Sequence, residues 1–456
     1  MRDSNDDLAN ALERRLSTVL GTSVTVRDIV PATAGASKSI WIFVASTGDE
    51  DLELVLRRDP IENQRPENMA QEAAVIRAAG EVGVPVPAII DSGDADAGLD
   101  APFIIMSRVH GETLPPRNLR DPKIQHNRVQ LAEDLGRAIA QIQQIPMDCA
   151  PSITYHDDVA RFEDDYRAGG LLPAMEIGWR WLHENPAPRR DRVFVHGDFR
   201  HGNLMIADGR LAAVLDWELP HIGDPMEDIG WVCTKAWRFG YPEMVGGFGP
   251  VSALLDGYES IAGWRPDERE VQWWSAFGSI RWGTMCRRQA ARTLVGDEDS
   301  LELALIGRRV AENEFDVLVA LGLAAPGERQ LPTRTPDAGM FDAPSVDDIL
   351  QRIISQTGAS KQYSDRLIRS AVSVVSRELE SGPAIQQRLQ DALEVCGYPD
   401  EQRLAEAIRD GIELTDEVID AVRAGVEGRL MVWNPKYLAY PAPPTSGTLS
   451  RSGDGR

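Results

Sequence analysis

Between Val195 and Trp231 the chain reads VHGDFRHGNLMIADGRLAAVLDWELPHIGDPMEDIGW, and two parts of this stretch carry groups able to do chemistry. His196-Gly197-Asp198 is followed by Asn203, five positions after the aspartate. The apolar run Leu211 to Leu215, which reads as a strand, then ends in Asp216-Trp217-Glu218. An acid, an amide and a second acid after a short hairpin are what phosphoryl transfer asks of a protein. One carboxylate takes the proton of an attacking hydroxyl, while a carboxamide and a further carboxylate hold magnesium on nucleotide phosphates. A lone HGD would fit a strand–turn–strand whose polar residues only stabilise turns. Several elements in order and at this spacing favour the chemical reading.

The spacing D-x-x-x-x-N is that of the kinase catalytic loop, with His-Gly-Asp in place of His-Arg-Asp. With Gly223-Asp224-Pro225 and Asp228, the stretch resembles the aminoglycoside phosphotransferase and choline kinase superfamily, the small-molecule cousins of the protein kinases. That resemblance implies Asp198 as catalytic base, Asn203 and Asp216 as Mg2+ ligands, and ATP or GTP as phosphate donor to a small hydroxylated acceptor. His196 is expected to buttress the loop through hydrogen bonds without titrating, and Asp224 to orient the loop from behind. Arg200 lies inside the loop, and the pattern DFR-x-GN is similar to kinase-like domains joined to acyl-CoA dehydrogenases that act on hydroxylated acyl thioesters. Arg200 would then meet an acceptor carrying carboxylate or phosphate, and a polycationic aminoglycoside would be repelled. An arginine tied to a neighbouring carboxylate is the equal alternative.

These groups need a scaffold. Leu8, Leu12, Leu16 and Val19 give residues 6–20 helical periodicity. Strand-like pieces follow at Val24 to Val30, Ser39 to Val44 and Leu52 to Leu56, then a helix over Asn68 to Ala79 and a strand over Phe103 to Met106. This order matches a kinase-type N-terminal lobe. Its third strand ends in Leu54-Val55-Leu56-Arg57, where a kinase has its V-A-I-K lysine, so Arg57 is assigned to phosphate, with Glu72 as its helix partner. A one-residue shift would exchange Arg57 with Arg58. Ser37, in the loop Gly35 to Lys38, is a candidate phosphate contact through backbone N–H groups. The backbone from Met106 to Arg108 occupies the place where relatives meet an adenine edge.

The helix spanning Asn127 to Ile145 opens a larger helical lobe, and Gln143 stands near its end where relatives often carry histidine. Trp231, Trp237, Trp264, Trp273, Trp274 and Trp282 read as core, some of them as walls of an acceptor pocket. The expected fold is α+β. It comprises a protein-kinase-like two-lobed unit with an antiparallel-sheet N-lobe (1–109) and a mainly helical C-lobe (110–322). A Pro/Gly-rich linker (323–345), a small all-helical domain (346–440) and a disordered tail (441–456) follow. The helical segments are expected at 346–357, 362–380, 384–396, 401–410 and 415–430, broken at Gly358, Ser381-Gly382-Pro383 and Gly397 to Pro399. This region resembles an uncharacterised helical domain that follows phosphotransferase domains in some bacterial proteins. Its Ala407 to Gly411 and Asn434 to Leu438 motifs bring no activity, only an expected role in self-association or in binding a protein partner.

The 456 residues carry a net charge of −23, which argues against nucleic acid and against anionic membranes as partners. No apolar run approaches the ~20 residues needed to span a bilayer. Cys149, Cys233, Cys286 and Cys396 are scattered without metal spacing, and the polar N-terminus does not read as a signal peptide, so a reducing cytoplasm is expected. Two rival readings remain. One is a nucleotide-binding pseudokinase that acts as a scaffold through its helical C-terminal domain. The other is a metal hydrolase built on His196, Asp198, His201 and His221.

Overall fold

The computed structural model describes residues 5–32, 39–48, 50–60, 64–296, 300–332, 346–358 and 362–441. Ser37 and its loop, the linker residues 333–345 and the tail from 442 lie outside the described residues. The chain forms two compact units. One comprises Met1–His156, Arg190–Val232 and Phe248–Pro266, and the other Asp157–Arg189, Cys233–Gly247 and Asp267–Arg456. Among the described residues no helix is long and apolar enough to cross a membrane.

The first unit opens with the helix Asn5–Leu20, followed by strands β1 (Thr25–Pro31), β2 (Ser39–Ser46) and β3 (Asp51–Arg58). The helix Pro66–Glu81 leads to β4 (Ile89–Gly93) and β5 (Phe103–Ser107). The five strands form one antiparallel sheet in the order β1-β2-β3-β5-β4. Its β5 is apolar at consecutive positions because both faces are covered. Phe103 and Ile105 pack with Leu8, Leu12 and Leu16 of the first helix on one face. Ile104 and Met106 pack with Met69 and Ala73 of the helix Pro66–Glu81 on the other. That helix thereby holds Glu72 under the sheet, only 2% exposed.

The helix Pro122–Ile142 begins on an Asp121 cap whose side chain accepts the Lys123 N–H. It crosses the helix Val251–Ala262 so closely that a Cβ on Gly136 would lie 1.9 Å from the Leu254 carbonyl oxygen. Gln143, just past its end, donates to the Pro225 carbonyl (2.7 Å) and accepts from the Tyr258 hydroxyl (2.7 Å), a structural fastening. Short strands β6 (Val193–Val195), β7 (Leu204–Ala207), β8 (Arg210–Val214) and β9 (His221–Gly223) carry the catalytic stretch. Asp208 and Gly209, both at positive φ (50° and 73°), make the two-residue turn between β7 and β8 that an Asp-Gly pair predicts.

The second unit is helical. Its centre is the helix Val310–Ala320, which buries Glu312, Asn313, Glu314, Asp316 and Phe315 at 4% exposure or less. The C-terminal helices pack onto it within this unit, and the start of the expected linker is fastened too. The Gly327 N–H donates to the Leu438 carbonyl (2.7 Å), and Arg329 pairs with both oxygens of Glu427 (3.2 and 3.1 Å). The break expected at Ser381-Gly382-Pro383 does not form: one helix runs Tyr363–Cys396 with Pro383 inside it. Proline in a helix interior costs about 3 kcal/mol. Here the helix Asp416–Trp433 packs along both sides of that point. Val374, Leu389 and Leu393 are buried, and Ile385 sits where a Cβ on Gly428 would be. Packing of the apolar face outweighs the local preference.

Candidate active site

His196 leaves β6, and its ring is fully buried between two backbone groups. Nδ1 accepts the Asp198 N–H (3.1 Å), so Nε2 carries the hydrogen donated to the Leu215 carbonyl (3.1 Å). Burial pushes its pKa down, and the imidazole is neutral. Gly197 follows at φ 82°, where a Cβ would lie 2.2 Å from the Leu219 carbonyl oxygen. The middle position of this triplet is therefore closed to any side chain. Buried Asp228 grips the loop from below, accepting the N–H of His196 (2.8 Å) and of Gly197 (3.1 Å).

This framework presents the Asp198 carboxylate. Oδ1 accepts from the indole N–H of Trp231 (2.8 Å), and Oδ2 from the amide of Asn203 (2.7 Å). The Arg200 Nε stands 3.1 Å from both oxygens. The neighbouring carboxylate of the second alternative for Arg200 is thus Asp198 itself. Asn203 also donates to the Asp198 carbonyl (3.0 Å), so its Nδ2 is spent on Asp198 and its amide oxygen is the atom that could serve a metal. Asp216, the residue after the β8 strand and Leu215, sits in the left-handed region (φ 68°), a conformation that non-glycine residues hold mostly under tertiary constraint. Its carboxyl is pushed up to about 6, first by burial and then by the charge of Glu218, with Asp198 and Glu72 adding and Arg57 opposing. Oxygen donors from Asp216 and Asn203 suit a hard cation such as Mg2+, whose charge would relieve this crowding of carboxylates.

Arg57 makes the ion pair with Glu72, while Arg58 donates to the Leu99 carbonyl (3.1 Å) and stacks over Trp41. The register places Arg57 opposite Ile40 and Ile104, and its buried Nε has no hydrogen-bond partner among the described residues. Of the two arginines, Arg57 is the one whose charge reaches Asp216.

Three expectations need adjustment. The Ser107 and Arg108 N–H groups are spent on the Ala88 (2.8 Å) and Glu53 (2.9 Å) carbonyls, because β5 lies between β3 and β4. They are not available to an adenine edge within Met106 to Arg108. Asp224 takes the Met226 N–H (3.0 Å) and Arg192 (3.3 Å), so it shapes the start of the helix Glu227–Cys233, and the loop's N–H groups go to Asp228. The histidines of the hydrolase reading do not converge: His201 meets Asn118 (3.3 Å) and the edge of Phe248, and His221 meets Glu227 (2.8 Å). Trp231 is the contact that motif reading missed. Its three-residue offset from Asp228 on one helix, putting both on the loop-facing side, was the available signal.

Residues 28–274 match the phosphotransferase enzyme family, and residues 355–437 match a domain described only as of unknown function, DUF6285. Acyl-CoA dehydrogenase family member 10 of Mus musculus is 29% identical over 245 residues, 49% of this chain. The chain spans only 22% of that mouse relative's length. Hygromycin-B 4-O-kinase of Escherichia coli is 21% identical over 272 residues, 50% of this chain and 78% of the enzyme. A Ralstonia eutropha crystal structure, described as a candidate aminoglycoside phosphotransferase, superposes with a TM-score of 0.54 at 23% identity, covering 69% of this chain and 97% of that one. It shares the fold. The chain belongs to the phosphotransferase enzyme family, and it is an aminoglycoside phosphotransferase-like enzyme of kinase-type fold.

Proposed function

We propose that the enzyme moves the γ-phosphoryl group of ATP or GTP to a hydroxyl of a small metabolite, and that this acceptor is anionic, a hydroxy acid or a hydroxyacyl thioester. The observation that carries the reading is the Asp198 carboxylate, held by Trp231 and Asn203 with a guanidinium against it. Asp198 accepts the acceptor's proton as the new oxygen–phosphorus bond forms and the bond to the leaving nucleoside diphosphate breaks. Arg200, held against Asp198, would face the charge of the transferring phosphoryl group, and Arg57, braced by Glu72, would face the donor's phosphates. Asn203 and Asp216 would hold Mg2+, which when bound spreads charge over the phosphate oxygens. His196, Asp228 and Trp231 hold the base in place. Arg200 disfavours a polycationic acceptor, and a relative named for acyl-CoA chemistry supports an acyl thioester among the candidates.

The test is nucleotide turnover with Mg2+ against hydroxyacyl-CoAs, hydroxy acids, amino alcohols, sugars and aminoglycosides, with Asp198→Asn alongside. Acceptor-dependent turnover should fall about 100- to 10,000-fold in the variant, the range of general-base catalysis, while nucleotide binding persists. Binding without turnover on any acceptor would instead favour the pseudokinase. Arg200→Ala with unchanged affinity for an anionic acceptor would remove the case for acceptor charge.

A further inference from the structure

The region of unknown function reaches the stretch that directly follows the catalytic segment. Lys235 and Arg238 lie on one 3-10 turn, Lys235–Arg238. The Lys235 ammonium donates to Asp316 Oδ1 (2.8 Å) and lies 4.6 Å above the ring of Tyr437, whose hydroxyl donates to Asp316 Oδ2 (2.7 Å). All three side chains are buried, at 9%, 3% and 5% exposure. Tyr440 closes the other side, since a Cβ on Gly240 would lie 3.1 Å from its ring. So fixed, the turn directs Arg238 back onto the carbonyl of Cys233, with Nε at 3.2 Å and Nη2 at 2.6 Å, and the Ser275 hydroxyl donates to the same oxygen (3.0 Å).

Cys233 is the last residue of the helix Glu227–Cys233, and a helix's final carbonyls lack partners of their own. Trp231, two residues earlier on that helix, is the donor to Asp198. A seven-residue helix is too short to be stable alone, so its orientation depends on its buried side chains and on what grips its end.

We propose that the C-terminal helical region is a positioning element for the phosphotransferase site. Tyr437, acting through Asp316 and Lys235, and Arg238 fix the end of the helix whose Trp231 orients the Asp198 carboxylate. The inference rests on Asp198 as the base and assigns the region a role that no activity of its own would reveal. Tyr437 and Trp231 are positioning residues and touch no substrate.

The experiment compares Tyr437→Phe, Trp231→Phe and the double variant of the full chain. The two readouts are nucleotide turnover, and amide hydrogen exchange over residues 196–203 and 227–233 without nucleotide. Tyr437→Phe keeps the ring above Lys235 and removes one hydroxyl. It should lower kcat about threefold to tenfold, the worth of one hydrogen bond, with KM for the nucleotide unchanged, and should speed exchange in both segments. Trp231→Phe should do the same to residues 196–203, and adding Tyr437→Phe to it should change kcat no further. A merely structural role predicts a lower melting temperature with exchange at 196–203 unmoved, or two effects that multiply; either overturns the proposal. Should Tyr437→Phe fail to fold, Asp316→Asn keeps an acceptor for the tyrosine, weakens the hold on Lys235 and is read the same way. A wild-type chain that turns over no nucleotide would defeat the phosphotransferase reading, and the exchange data would still decide the positioning one.

Discussion

Two regions of the molecule bury acids, and they do so on opposite terms. On the helix Val310–Ala320 each acid has its own partners. Glu312 takes Trp433 and Asn434 (both 2.9 Å), Glu314 takes Arg429 (2.8 Å), and Asp316 takes Lys235 and Tyr437. At the catalytic stretch burial and the charges of Glu218, Asp198 and Glu72 bear on Asp216, with Arg57 opposing them, and Asp216 is left holding its proton to about 6. A buried acid with a matched partner is a fastening. A buried acid whose neighbours share its sign stores a demand for a cation, which a metal-bound nucleotide can supply.

That contrast can be broken at its strongest point. Arg429→Met removes the partner of Glu314, which is fully buried, and should destabilise the fold by about 3 kcal/mol, read as a shift of the urea midpoint. Asp216→Asn should act in the opposite direction. Its carboxyl binds the proton more tightly folded than unfolded, so its contribution to stability is lost as pH rises from about 4 to about 6. The metal-free variant should therefore be more stable than the parent by up to roughly 3 kcal/mol at pH 7, with no difference below about pH 4. Mg2+ with nucleotide should stabilise the parent alone and narrow that gap. Glu218→Gln should give the smallest effect, a few tenths of a kcal/mol of stabilisation at neutral pH, because that side chain is exposed and screened. An Asp216→Asn that destabilises at neutral pH would erase the distinction between the two regions.

Much of the first unit was legible in the sequence because its signals are local. Alternation marks the strands, Asp208-Gly209 the hairpin, and the offset of Asp198 from Asn203 the loop. The choice between Arg57 and Arg58 needed strand register, which periodicity alone leaves one residue loose. The indole donor on Asp198 and the gripping of Cys233 by Arg238 are pairings between distant surfaces and leave no trace in spacing. The continuous helix through Pro383 shows the same limit from the other side. The local breaker predicts a break that does not form, because packing along the neighbouring helix outweighs it. The C-terminal helices were expected as a bundle of their own, whereas their polar residues are partners for acids of the preceding lobe.

Lys235 and Arg309 precede the acidic helix, but its other partners arrive late. Tyr437 lies 121 positions beyond Asp316 in the chain. At a ribosomal pace of about 5–20 residues per second, Asp316, whose partner Lys235 is already made, emerges roughly 6–24 seconds before Tyr437. During that interval the helix can pack on the earlier helices Pro173–Glu184 and Glu268–Leu294 but lacks the partners on the C-terminal helices. A chain released short of Tyr437 would carry its catalytic motif intact but lack the hydroxyl that completes the pairing of Asp316 with Lys235.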